Sequence, residues 1–268
     1  MDGPYAAERV GGVPDRPRPA RVYDWFLGGS YNFPVDRALA AKAAAVLPEL
    51  PQMLRANRAF LQRAVQYVAG CRVSQFLDLG SGLPTVGNVH TAARAVAPGA
   101  RVVYVDVDPA VGAWCEALVG ADPNTGVACA DLLDTDAVLG SAAVQRLIDW
   151  SQPVGVLAVA VAHFIPDTAA LRAAFARYRD VAVSGSFLAL SHGNVSASPG
   201  AASRMGDLYG RAGTPLVTRS RSEIIRLVDG WDIVDPGVVP TWQWRPRPSG
   251  FASDDADPFT LALVARKP

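Results

Sequence analysis

Apolar positions along the chain change their period near residue 74. Before it, three segments carry a helical spacing: about 20–28, about 35–47 and Gln52–Ala69. In the third, Met53, Phe60, Leu61, Ala64, Val65 and Val68 recur at steps of three, four and seven and form one stripe. Asn57 falls on that stripe, so its amide needs hydrogen-bond partners from the protein or from a ligand. After Ser74, short apolar runs end near Gly80 (QFLDLG), Asp106 (RVVYVD), Ala130 (GVACA) and Ala162 (PVGVLAVAVA). They are continuous or β-branched and bounded by Gly, Pro or Asp, the pattern of strands covered on both faces. Helical patterns at Asn88–Ala97, Pro109–Val119 and Thr135–Trp150 separate them, which predicts right-handed crossovers and an open, mostly parallel sheet.

Asp167 opens a further helix (DTAALRAAFARYRDVA) before a fifth strand, SFLALSH. Residues 193–218 read as a looser segment. Ser220 and Glu223 then form a capping box, with Gly230 placed as a left-handed C-cap. A strand over Trp231–Val239, a proline-rich loop (PTWQWRPRPSG) and a last strand (PFTLALVARKP) complete the chain. Two successive strands with no helix between them pair antiparallel. The fold class is therefore α/β, a Rossmann-like doubly wound sheet preceded by a helical segment. Residues 1–19, rich in Pro, Gly and Arg, read as a flexible tail, 20–72 as a helical unit and 73–268 as the sheet domain.

Composition adds mainly exclusions. Half the residues are hydrophobic and 19% are charged, so the chain can bury a core. With 25 basic and 25 acidic residues it offers no net positive field, and no nucleic-acid partner is expected. Cys71, Cys115 and Cys129 lie far apart, no C-x-x-C pair exists, and there are only 3 histidines. Neither a disulfide frame nor a metal site is expected, and the cysteines read as buried thiols in a reducing compartment. The start MDGPYAAERVGG lacks a leader's apolar core, and the longest apolar stretch, Val154–Ile165, is too short to span a bilayer. The expectation is a cytoplasmic protein away from the membrane, and a homodimer is compatible with the sequence.

The chemistry gathers at the predicted strand ends. In "FLDLGSGLPT", Gly80 and Gly82 permit a tight turn and close approach of a ligand, with a helix N-terminus following. A dinucleotide site calls for a third glycine at position 85, where this chain has Thr85. Asp106 ends the second strand 24 residues past Gly82, close to the separation of about 20 at which an acid accepts from ribose hydroxyls. Its charge would repel a 2′-phosphate. Asp131, after the third strand, is placed to accept from an adenine amine. The ligand so described is an adenosine without a 2′-phosphate.

With "LDLGSGLP", Asp106, Asp131 and "VAHFIPD" in that order, the chain from about Ser74 to Pro268 resembles the class I S-adenosylmethionine-dependent methyltransferases. More narrowly, "ARVYDWFLGGSYNFPVDRALA", "RANRAFLQRAV" and "GSGLPTVGNVH" are similar to a bacterial, actinobacterial-type family of such methyltransferases whose substrate is unassigned. Pro84 stands where many superfamily members carry a small residue. The resemblance implies seven strands in the order 3-2-1-4-5-7-6 with the last antiparallel. It implies S-adenosylmethionine as methyl donor and S-adenosylhomocysteine as product. Asp78 would orient the loop and approach the methionine ammonium, with Gly80, Ser81 and Gly82 along the cofactor. Asp106 and Val107 would hold the ribose side, Asp131 and Leu132 would flank the adenine, and Ala162 would border the pocket after the fourth strand. Asp108 would support its loop or simply N-cap the next helix.

The helices of residues 20–72 would form a lid bearing Tyr23, Asn32, Asn57 and Arg58 toward the cofactor, with Tyr23 also a candidate at the acceptor. An aromatic face there would attract a sulfonium, and core packing is the other reading for Trp25 and Phe26. Trp242, Trp244 and Arg245 border an acceptor site or rim a surface loop. Methyl transfer demands alignment and exclusion of water, with a base only where the acceptor needs one. His163 is the candidate base, with pocket packing as its alternative; His90 is a second candidate base and His192 reads as structural. Absence of a Tyr-x-x-x-Lys pair argues against an oxidoreductase. Without an Asn-Pro-Pro-Tyr segment after the fourth strand, a small-molecule acceptor is preferred to a nucleic acid. A non-catalytic binder of the cofactor or its product is the alternative function.

Overall fold

The computed structural model describes residues 16–194, 196, 198–246 and 259–268. Most of the expected tail, residues 1–15, and residues 247–250 of the proline-rich loop lie outside them. Among the described residues, three helices precede the sheet: α1 (Pro19–Phe26), α2 (Pro34–Val46) and α3 (Leu50–Gly70). Each has a proline in its first turn, where a missing N–H costs nothing. A buried ion pair joins the first two, Arg21 Nε donating to Asp36 Oδ2 at 2.8 Å. Asp36 also accepts the backbone N–H groups of Arg18 and Phe33.

Five parallel strands follow: β1 (Gln75–Leu79), β2 (Arg101–Asp106), β3 (Thr125–Cys129), β4 (Gly155–Val159) and β5 (Phe187–Gly193). The crossovers contain α4 (Val89–Arg94), α5 (Pro109–Val119), the pair α6 (Thr135–Gly140) and α7 (Ala142–Leu147), and α8 (Thr168–Val181). Beyond β5 lie α9 (Pro199–Arg211), α10 (Arg221–Leu227), β6 (Asp232–Ile233), β7 (Val239–Pro240) and β8 (Thr260–Arg266). The sheet order is β3-β2-β1-β4-β5-β8-β6, with β8 antiparallel to β5 and to β6, and β7 pairing with β8. Counting the β6–β7 segment as one strand gives the expected order, including its closing hairpin.

Side-chain alternation explains why the strands read as unbroken apolar runs. Leu77, Leu79, Val103, Val105 and Val156 pack with α7, α8 and α10 on one face. Phe76, Val102, Tyr104 and Leu157 pack with α3 and α4 on the other. Both faces are buried, so both parities must be apolar. Asp78 shares the parity of Phe76 and is thus carried on the α3 face.

Several expectations need correction. The segment read as loose, 193–218, contains the 13-residue helix α9. Met205 and Tyr209 of that helix are buried with Leu39, Leu50, Met53 and Phe259. The helix expected over Thr135–Trp150 is two, because Ser141 accepts the N–H of Val144 and caps a new start. The strand expected over Trp231–Val239 is two short pieces, interrupted by Pro236, which lacks a donor, and by Gly237 at φ +86°. Only Cys115 among the thiols is buried; Cys71 and Cys129 are exposed. The Ser220–Glu223 capping box forms, and Gly230 adopts φ +82° just past α10.

Candidate functional site

A cavity of about 480 Å³ opens at the carboxyl ends of β1 to β4, roofed by α1, the start of α3 and α9. The glycine turn forms its floor. Gly80 and Gly82 have φ of +63° and +59°, which strain any side chain. A Cβ on Gly80 would meet Val161 Cγ2 at 2.1 Å, so this position has neither the backbone freedom nor the space for alanine. The side chain of Asn88 caps α4 behind the turn by accepting from the Thr91 N–H.

Asp106 ties β2 to that turn. Its Oδ2 accepts the Gly82 N–H at 2.9 Å and its Oδ1 the Asp108 N–H at 3.0 Å. Each carboxylate oxygen retains lone-pair capacity, and Asp106 lines the cavity. Burial raises the Asp106 carboxyl above its usual range, while the Asp108 and Gly82 amides pull it back. Asp108 caps α5 through the Ala110 N–H, as its structural reading has it, sits 3.6 Å from Arg18 Nε and also lines the cavity. Val107, Asp131 and Leu132 line the same end, with Asp131 Oδ1 accepting the Leu133 N–H.

Opposite Asp106 lies a cluster with unmet polar capacity. Asp78 is 5% exposed. Burial pushes its carboxyl up to about 7, against the pull of Arg58 and with a smaller push from Asp106. Asn57 donates its Nδ2–H to the Tyr23 hydroxyl at 2.9 Å, and that hydroxyl donates to the Leu54 carbonyl at 3.1 Å. The Arg58 guanidinium lies 5.2 Å from the Tyr23 ring centroid. The Asn57 Oδ1 and Arg58 Nε atoms are nonetheless buried without hydrogen-bond partners. Native proteins rarely leave such groups unmet, so this corner holds both a donor and an acceptor in need of partners.

His163 forms the wall beyond β4. Its Nδ1 is buried and unpartnered, and its ring centroid lies 4.4 Å from that of Phe164. Burial, then His192 and Arg219, push its pKa down to about 3. The ring is neutral at physiological pH and a weak proton acceptor. Arg219 pins the segment that carries it, donating to the carbonyls of Ala162 and Ile165, to Thr168 Oγ1 and to His192 Nε2. Because His192 Nδ1 faces the Gly193 carbonyl at 2.8 Å, Nδ1 carries the proton and Nε2 accepts.

Other anticipated residues sit elsewhere. Asn32 is fixed by Asp24 and the Gly29 carbonyl and receives Arg37 on its Oδ1, away from the cavity lining. Ala162 is fully buried beneath its neighbours Val161 and His163, which do line the cavity. His90 contacts the Tyr104 hydroxyl outside the lining. Trp244 is wholly buried against Phe60 and Tyr67, with Arg245 4.0 Å from the Tyr67 centroid, so this part of the proline-rich loop serves packing.

Three contributions escaped sequence reasoning. Asp24, 2% exposed, accepts from the Tyr31 N–H, Asn32 Nδ2 and Thr85 Oγ1, linking α1 to the glycine loop. A Cβ at Gly29 would fall 2.0 Å from its Oδ1, so an acid near a glycine pair was the available signal. Met205 and Tyr209 from α9 were legible as a four-residue apolar step, but Gly and Ser around them masked it. For Arg219 the sequence held no signal at all.

A family model described as S-adenosyl methyltransferase matches residues 13–268. A solved structure from Thermobifida fusca YX, of a protein proposed to be a methyltransferase, shares 38% identity over 94% of this chain and 95% of its own, with a TM-score of 0.87. A DUF574 family protein from Streptomyces avermitilis MA-4680 shares 33% identity over 95% and 98% of the two chains, with a TM-score of 0.88. The N-methyltransferase NodS from Bradyrhizobium japonicum WM9, at 16% identity, 81% and 97% coverage and a TM-score of 0.51, shares the fold. Among curated proteins there is no match to the chain.

Proposed function

The chain belongs to the S-adenosyl methyltransferase family, and from that premise we propose that the cavity above the glycine turn holds the methyl donor and methylates a small-molecule acceptor. The protein is an S-adenosylmethionine-dependent methyltransferase, with S-adenosylhomocysteine as product. When bound, the donor supplies an electrophilic methyl group on a sulfonium. Among the described residues, no helix is long and apolar enough to cross a membrane.

The observation that carries the site reading is the unmet corner of Asn57 and Arg58 beside Asp78. The methionine part of the donor is a zwitterion. Asp78 and Asn57 Oδ1 would accept from its ammonium, while Arg58 would receive its carboxylate. Asp106 would accept from the ribose hydroxyls with the lone pairs its amide partners leave free. Gly80, Ser81 and Gly82 would admit the ligand closely, and Val107, Asp131 and Leu132 would enclose the adenine. Tyr23, with both its hydroxyl bonds engaged, acts as a positioning residue for Asn57 and Arg58. His163 would orient the acceptor's polar group by a hydrogen bond, its depressed pKa leaving it little capacity to retain a proton. The helices α1 and α2 would serve as the lid that excludes water.

Calorimetry with S-adenosylhomocysteine tests this directly. Micromolar binding, about −8 kcal/mol, is the expected result; no binding at millimolar ligand would remove the site assignment. A second readout concerns Asp78. An ammonium beside it lowers its pKa, so binding expels a proton and tightens as pH rises through about 7. Affinity should therefore rise about tenfold between pH 6 and pH 8, with proton release visible across buffers of different ionisation enthalpy. Asp78→Asn should bind more weakly and flatten the profile. A flat profile in the unmodified protein would contradict the placement of the ammonium.

A further inference from the structure

The cavity is divided by charge. Every charged side chain lining it belongs to residues 18–131: Arg18 just before α1 and Asp24 within it, Arg58 on α3, Asp78 on β1, Asp106 at the end of β2, and Asp108 and Asp131 in the loops after β2 and β3. From Val159 onward, the described lining residues carry no charged side chain at physiological pH. That second part merges with the apolar cluster beneath α9, in which Met205, Tyr209 and Phe259 are buried and Leu54, Phe164 and Leu216 pack against them. His163, Phe164 and Tyr209 form an aromatic series, with ring centroids 4.4 and 6.1 Å apart in succession. Two polar groups punctuate that series, and Thr214, Thr218 and Thr260 also line this part of the cavity. The His163 Nδ1 is buried and unpartnered, and Tyr209, 6% exposed, brings its phenol to the lining.

We propose that the half of the cavity under α9 is the acceptor chamber, and that it selects an uncharged, aromatic small molecule carrying one hydroxyl or amine group. This rests on the reading of the other half as the donor site. A carboxylate or ammonium placed among Phe164, Met205, Tyr209 and Leu216 would lose its hydration without gaining a counter-charge. A neutral ring gains apolar burial and offset or edge contacts with Phe164 and Tyr209. Its single polar group meets the imidazole Nδ1, which is otherwise buried and unpartnered, and the phenol of Tyr209. The methyl group then passes from the sulfonium to the heteroatom, the S–CH₃ electron pair stays on sulfur as the thioether, and the heteroatom's proton leaves to solvent.

The full chain would first be titrated with S-adenosylhomocysteine, then, saturated with it, with 2-naphthol, 2-naphthoate and 2-naphthylmethylammonium. The expected order is 2-naphthol tighter than either ion by at least about tenfold. Tyr209→Phe should weaken 2-naphthol by about three- to tenfold, while its S-adenosylhomocysteine isotherm reports that the protein is folded. Met205→Glu places a carboxylate in the chamber and should invert the preference toward the ammonium. Failure of S-adenosylhomocysteine to bind removes the donor site and this inference with it. Binding of S-adenosylhomocysteine combined with equal or tighter binding of an ion, or with no binding of any of the three probes, overturns the acceptor chamber alone.

Discussion

Asp106→Ala is expected to weaken S-adenosylhomocysteine binding by more than about a hundredfold, or roughly 3 kcal/mol. Two losses combine in that figure. The ribose hydroxyls lose a charged acceptor, and such hydrogen bonds are worth about 1.5–3 kcal/mol. The Gly82 and Asp108 N–H groups also lose the oxygens that hold the glycine turn against β2. Asp106→Asn separates the two, since it keeps the shape and one acceptor oxygen. It should retain the melting temperature within a few degrees and still lose about tenfold in affinity. Isotherms of both variants within threefold of the unmodified protein would mean that the carboxylate only braces the loop.

The second large effect concerns stability. Arg21→Met leaves the Asp36 carboxylate, which is 0% exposed, without its cation. Stranding a buried charge in this way costs about 3–5 kcal/mol. Asp36 keeps two backbone donors, from Arg18 and Phe33, so the lower half of that range is expected. Denaturant unfolding should show the loss, and adding Asp36→Asn should recover part of it, because a neutral amide tolerates burial better than an unpaired carboxylate. Hydrogen exchange should accelerate in α1 and α2 before the sheet, whose core is separate from theirs. Uniform acceleration would instead mean that the two units unfold together. Since α1 supplies Tyr23 and Asp24 to the cavity, ligand affinity should fall in parallel.

The cavity lining near the glycine turn was legible because its chemistry is local. A strand end, two glycines and an acid at the next strand end are fixed by short-range rules, and the open sheet brings successive strand ends together. Asn57 stood out for a related reason: an amide on an apolar helical stripe announces a burial that needs compensation. The cavity lining under α9 was not legible. Tyr209 and Met205 lie on a helix whose glycines and serines dilute its period, and Arg219 touches five distant groups that no spacing links to it. Asn32 misled because a polar residue in an aromatic, glycine-rich stretch is equally suited to a ligand or to its own loop, and Asp24 claims it.

By itself, and apart from the strand order, which the family resemblance implied, the sequence determined the α/β class, the antiparallel closing pair and the three N-terminal helices. Each follows from periodicity, caps or left-handed backbone positions, which are properties of neighbouring residues. The tertiary structure decided which polar atoms remain unsatisfied, how burial moves Asp78 up to about 7 and His163 down to about 3, and where charge stops along the cavity. Those quantities depend on desolvation and on partners distant in the chain, and they exist only once α3, α9 and the sheet have closed around the same space.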